Sequence, residues 1–149
     1  MRPSGLNSFA SIRGVRAQTL LASFLILLLF QNAFAATDFP TFWEKFKSAV
    51  IAGDRVTVAE MTEFPLSMYG SKMKNRAEFL RRYGEIFKGE ANAVQCFARA
   101  KPQQESARSY EVYCPFKGTP NDWENAPIRF IFEQTKSGWK FAGLDNINE

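Results

Sequence analysis

The stretch PIRFIFEQTKSGWKFAGL, residues 127–144, decides the fold. Ile128, Phe130 and Phe132 alternate with Arg129, Ile131 and Glu133, and Trp139 and Phe141 flank Lys140. That period of two predicts strands over 127–134 and 139–144, each with one face buried. Thr135, Lys136, Ser137 and Gly138 make the turn between them, with Gly138 suited to a positive φ. This turn sets Phe132 opposite Phe141 and Phe130 opposite Gly143, whose missing side chain leaves room for the ring. Working upstream, 93–101 and 109–116 alternate in the same way around a polar turn, Pro102 to Ser106. A hairpin centred on Glu105 places Ala100 opposite Tyr110, Ala98 opposite Val112 and Cys96 opposite Cys114. The facing cysteines predict a disulfide. Residues 117–125, rich in Gly, Pro, Asn and Asp, form a connecting loop.

Before residue 93 the period is helical. Thr41 and Glu44 have capping-box spacing, Phe42, Phe46, Ala49 and Val50 share one face, and Gly53 ends the helix. Asp54 caps a shorter helix reaching about Met61 that buries Val56 and Ala59. Phe64, Leu66 and Met68 alternate as a brief extended stretch around Pro65. A third helix opens at Asn75, with Glu78 three residues on, and stops at Gly89. Its apolar face carries Phe79, Leu80, Tyr83, Ile86 and Phe87, and Gly84 inside it implies a close contact. Helices first and a meandering sheet afterwards give an α+β domain: N-terminal helices packed on a curved four-stranded antiparallel sheet.

The chain has 149 residues and a formal net charge of +4. Three of its basic residues, Arg2, Arg13 and Arg16, fall in a first segment without acids; the rest number 16 basic and 15 acidic, a net of +1. Nucleic acid is therefore a poor partner. That segment reads as a secretory signal peptide over 1–35. Its apolar run at residues 20–30 is too short to span a bilayer, which needs about 20 apolar residues. Ala33 and Ala35 then supply the cleavage pattern, with cut between Ala35 and Ala36. A single domain over 36–149 remains, with no stable membrane span after processing, in the periplasm or outside a bacterial cell. Export also suits a disulfide between Cys96 and Cys114. No histidine is present, which removes the commonest zinc ligand, and two cysteines exclude a Cys-rich zinc cluster; no metal site and no cofactor are assigned.

The order of elements, with Phe42-Trp43-Glu44-Lys45-Phe46, Ala52-Gly53-Asp54, Phe64-Pro65-Leu66, Phe79-Leu80-x-x-Tyr83-x-x-Ile86-Phe87 and Gly138-Trp139-Lys140-Phe141-Ala142-Gly143, resembles the nuclear-transport-factor-2-like superfamily, of cystatin-like fold. The resemblance implies a cone whose sheet and helices enclose a pocket, in a superfamily that holds isomerases, dehydratases, ligand binders and scaffolds.

Within such a cone, Phe46, Tyr83, Phe87, Phe130, Phe132, Trp139 and Phe141 either fill the core or line a pocket for a small apolar ligand. Isomerase- or hydratase-like chemistry needs a carboxylate base and a tyrosine donor, for which Tyr83, Tyr110, Tyr113, Glu111 and Asp145 are the available parts. Each also has a plainer place: Tyr83 in its helix stripe, Glu111 pointing outward beside Val112, Asp145 past the last strand. No catalytic residue is assigned. Lys72, Lys74, Arg76, Arg81, Arg82 and Lys88 meet only Glu78 and Glu85, a basic face able to dock an acidic protein or envelope polymer. The favoured reading is a non-catalytic envelope domain binding an apolar ligand or a protein, with a homodimer through the sheet face as a further option. Intact mass of the exported protein is expected to start at Ala36; a full-length membrane-bound species would end the export reading.

Overall fold

The computed structural model describes residues 38–148, so the signal segment and the junction of Ala35 and Ala36 lie outside the described residues. Helix α1, Phe39–Ala52, starts a turn before the Thr41 and Glu44 spacing suggests. Asp38 caps it, its carboxylate accepting the Thr41 amide at 2.9 Å, and Pro40 occupies the first turn where no amide is missed. Glu44 instead pairs with Lys47 on the surface at 2.7 Å. Gly53, at φ 71°, closes the helix as expected. Asp54 caps α2, Arg55–Glu60, but that helix buries Val58 and Ala59 and leaves Val56 52% exposed. Ala59 is buried as expected, and Val58 takes the place expected of Val56.

Strand β1, Thr62–Met68, and β2, Ser71–Met73, form a hairpin closed by Tyr69 and Gly70, both at positive φ, with Met68 opposite Ser71. The peptide bond between Phe64 and Pro65 is cis. Helix α3, Arg76–Lys88, is capped as expected by Asn75, which accepts the Glu78 amide at 3.0 Å. The Glu78 carboxylate reaches back to the Lys74 amide at 2.9 Å.

Residues 93–101 are not a strand. They begin with a helix, α4, Ala93–Phe97, capped by Asn92. Ala93, Cys96 and Phe97 are its buried positions, the i, i+3, i+4 set of a helix. Strand β3 is Gln103–Ser106, exposed throughout, and it pairs with β4, Ser109–Cys114, so that Gln104 rather than Ala100 faces Tyr110. The disulfide between Cys96 and Cys114 is present, with Cα atoms 5.7 Å apart, yet it ties a helix to a strand instead of joining two strands.

Strands β5, Ile128–Thr135, and β6, Gly138–Asn146, complete a curved, open sheet of six strands, not four, in the order β2-β1-β6-β5-β4-β3. The hairpin of β1 and β2 supplies the added edge, and β1 runs parallel to β6, so the sheet is only mostly antiparallel. In the last hairpin Phe132 faces Phe141 as expected. An irregularity between Ile131 and Phe132 then moves Phe130 opposite Leu144 and sets Ile131 over Gly143.

The helices close one face of the sheet through aromatic rings. Phe46 of α1 lies within 6.3 Å, centroid to centroid, of Phe42, Phe87, Phe97, Phe132 and Phe141. Phe132→Ala is expected to cost about 3–5 kcal/mol in urea unfolding, since it opens a hole among rings that cannot collapse inward. Replacing Cys96 and Cys114 together by alanine is expected to cost about 3 kcal/mol by the same measurement.

Candidate functional site

The seven aromatic candidates separate into two groups. Phe46, Phe130, Phe132 and Phe141 have no exposed surface and pack on one another. Trp139 lies edge-on to Phe39 and Tyr110 at the rim of the same cluster. These five side chains fill the cone. Tyr83 and Phe87, one turn apart on α3, reach the core from its helical side and also line a cleft of about 250 Å³.

The end of α1 (Val50, Ile51, Ala52), Gly53, Arg55, α3 (Tyr83, Gly84, Phe87, Lys88) and Val94 of α4 surround that cleft. The fold makes it in a simple way. Gly53 turns the chain sharply between α1 and α2, and Gly84 faces the gap between the helices. No atom lies within 4 Å of where a Gly84 side chain would begin, so this glycine leaves open space and not the close contact its position suggests. Next to it Tyr83 is 3% exposed, and its hydroxyl has no hydrogen-bond partner among the described residues. The Arg55 guanidinium sits 5.3 Å from the centroid of the same ring, in cation–π range. Burial pushes the Tyr83 phenol up to about 12; Arg55 opposes the rise and Asp54 adds to it. At neutral pH the hydroxyl is therefore a protonated donor. The Asp54 carboxylate is already engaged, accepting the Thr57 amide at 3.1 Å and its hydroxyl at 2.6 Å. A second, more open groove of about 330 Å³ shares Lys88 and Val94 and adds Asn92 and Lys117.

The six basic residues are spread out. Lys72 belongs to β2, Lys74 to the loop after it, and Arg76 and Arg81 are exposed on α3. Arg82 is held by Glu85 at 2.7 Å and Glu78 at 3.5 Å. Lys88 alone of the six lines the cleft.

The parts considered for acid–base chemistry do come together, but on the face of the sheet away from the helices. Tyr113, Arg129 and Asp145 are register neighbours across β4, β5 and β6, so Asp145 lies within a strand and not beyond it. Arg129 grips Asp145 with two contacts, at 2.9 and 2.6 Å, and reaches Glu111 at 3.2 Å. The Tyr113 hydroxyl donates to Glu111 at 2.5 Å. Glu111 points to this outer face as expected, yet it is buried, because these two side chains lie across it. The Tyr113 phenol is pushed up by burial and then by its bond to Glu111. All four carboxylate oxygens of Glu111 and Asp145 accept bonds from Arg129 or Tyr113. Arg129, which organises the group, carries no motif in the sequence; only its strand register with Asp145 signals it.

Two mutations test these assignments. Tyr83→Phe is expected to raise stability by about 1 kcal/mol in thermal or urea unfolding, since it removes a buried hydroxyl that bonds to nothing. Arg129→Met is expected to lower stability by about 3 kcal/mol by stranding the buried Glu111 carboxylate, and Glu111→Leu in the same chain recovers part of the loss.

No protein-family model and no curated protein matches the chain. Solved structures do. An NTF2-like protein of unknown function in nutrient uptake from Rhodospirillum rubrum is 15% identical, over 74% of this chain and 99% of its own, with a TM-score of 0.41. An NTF2-like protein with a cystatin-like fold from Novosphingobium aromaticivorans is 16% identical over 89% and 90%, at a TM-score of 0.36. A domain of unknown function with a cystatin-like fold from Nostoc punctiforme is 14% identical over 72% and 73%, at 0.39. These neighbours carry the superfamily and fold names that the sequence resembles, and the likeness is one of fold alone.

Proposed function

We propose that this chain is an exported, non-catalytic binding domain of the bacterial cell envelope, and that it takes a small apolar ligand in the cleft between α1, α2 and α3. The observation that carries the reading is the open space over Gly84, walled by Phe87, Val50 and Val94 and floored by the buried Tyr83. The sheet side of the cone is occupied by its own phenylalanines, so a ligand is admitted on the helical side. Both cysteines are committed to one disulfide, which supports residence in an oxidising compartment and so the export expected from residues 1–35. Against an enzymatic role stands the engagement of Glu111 and Asp145 in ion pairs and a hydrogen bond with Arg129 and Tyr113.

Gly84→Leu tests the site without threatening the fold, because leucine is the better helix former and has room at that position. The uncharged fluorophore N-phenyl-1-naphthylamine is expected to brighten with the wild-type protein. It is expected to stay dark with Gly84→Leu, whose circular dichroism and melting temperature match or exceed the wild type. Equal brightening by the two proteins would place the apolar site elsewhere.

A further inference from the structure

We infer that the open groove between β3, β4 and the loop at 119–127 binds an uncharged saccharide of one or two pyranose rings. The sugar lies on Tyr113 and Trp123 and exchanges hydrogen bonds with Gln103, Glu124 and Asn125, all of which line the groove. The groove holds about 280 Å³ and shares no lining residue with the cleft, so it is a second site and does not rest on the first.

Both rings are fixed before any ligand arrives. The Tyr113 hydroxyl donates to Glu111, which Arg129 holds from β5. The Arg99 guanidinium lies over the Trp123 ring, 5.3 Å from its centroid, and donates to the Asn121 side chain at 3.3 Å. Local bonds shape the loop that carries the indole. The Thr119 amide donates to the Phe116 carbonyl at 2.9 Å, the Asp122 amide to the Thr119 carbonyl at 3.0 Å, and the Asn125 amide to the Asp122 carboxylate at 3.2 Å. The indole N–H is buried, so Trp123 offers a ligand its ring and not its hydrogen bond. Aromatic side chains held in this way present contact area at low entropic cost.

The polar lining complements the rings. Gln103 is exposed on β3 opposite Glu111, and Glu124 and Asn125 are exposed on the loop. Among the described residues the side chains of these three make no hydrogen bond and no ion pair. Each amide both donates and accepts, and the carboxylate accepts, which is the mixed set that neighbouring hydroxyls require.

Charge and size narrow the class. Among the described residues no lysine or arginine lines the groove, so an anion finds no counterion in it. A purely apolar ligand would desolvate three polar side chains and give them nothing to bond. A pyranose meets both demands, with C–H faces that suit the electron-rich face of an aromatic ring and hydroxyls around the rim. About 280 Å³ lies just under the usual range of roughly 300–1,000 Å³ for drug-sized ligands, so one or two sugar rings fill it.

Saturation-transfer NMR with cellobiose, maltose and N,N′-diacetylchitobiose tests the site. Octaproline is run beside them, because aromatic-lined grooves also take polyproline helices. At least one disaccharide is expected to give a signal with the wild-type protein that added salt leaves unchanged, and octaproline none. Trp123→Leu is expected to reduce that signal at least fivefold. The double variant Gln103→Ala, Asn125→Ala is expected to do the same at an unchanged melting temperature, since it removes only exposed side chains that bond to nothing. Silence from all three disaccharides overturns the proposal, as does a signal that the double variant retains. A signal that falls with salt overturns the uncharged class. Binding of octaproline in place of the sugars also overturns the proposal and assigns the groove to an extended proline-rich peptide.

Discussion

The packing of the Phe46 ring is the contact on which the rest depends. Its neighbours Phe87, Phe97, Phe132 and Phe141 come from α3, α4, β5 and β6, so one side chain of α1 touches every layer of the domain. Rings of that size meet edge to face at about 5 Å, a favoured arrangement for buried aromatic pairs. The sheet side is thus occupied by the chain's own rings, and open space lies beside Gly84, where the helices part.

The other face of the same strands is organised by charge. Alternation puts Phe130 and Phe132 on the core side and Arg129 and Ile131 on the outer side of β5. Arg129 then joins β4 to β6 through Glu111 and Asp145. A carboxylate, a second carboxylate and a tyrosine gathered in one place have the composition of an acid–base site. Their geometry makes them a clamp, because each oxygen already accepts a bond from Arg129 or Tyr113. The disulfide performs a comparable task at the opposite surface of β4, holding α4 against the strand from which Tyr113 projects outward.

Tyr83 stands between these two regimes. Its ring belongs to the core, tilted against Phe87 at 4.6 Å, while its hydroxyl ends in a polar deficit beneath Arg55. A phenylalanine would serve the packing as well and avoid the unmade bond. Among the described residues the Tyr83 hydroxyl and the Trp123 indole N–H are the buried side-chain polar atoms without a partner.

Local patterns in the sequence were enough for the elements whose burial period is unambiguous. The caps at Asp54 and Asn75, the helix end at Gly53 and the pairing of Phe132 with Phe141 depend on near neighbours or one tight turn, and all stand in the structure. The pairing of Cys96 with Cys114 was also legible, though for the wrong geometric reason. Residues 93–97 fit both a period of two and an i, i+3, i+4 set, and in five residues only docking against α1 and β4 separates them. The three-residue strand β2 is too short to show a period at all. The cleft was beyond any local pattern: Arg55, Tyr83, Gly84 and Lys88 come from two helices, and their meeting follows from how those helices pack. Sequence thus determined which residues turn inward, since that is set by period and polarity over a few positions. Tertiary structure alone decided that the cone is filled, that the acids are clamped and that open space lies over Gly84, because each is a matter of distances between segments remote along the chain.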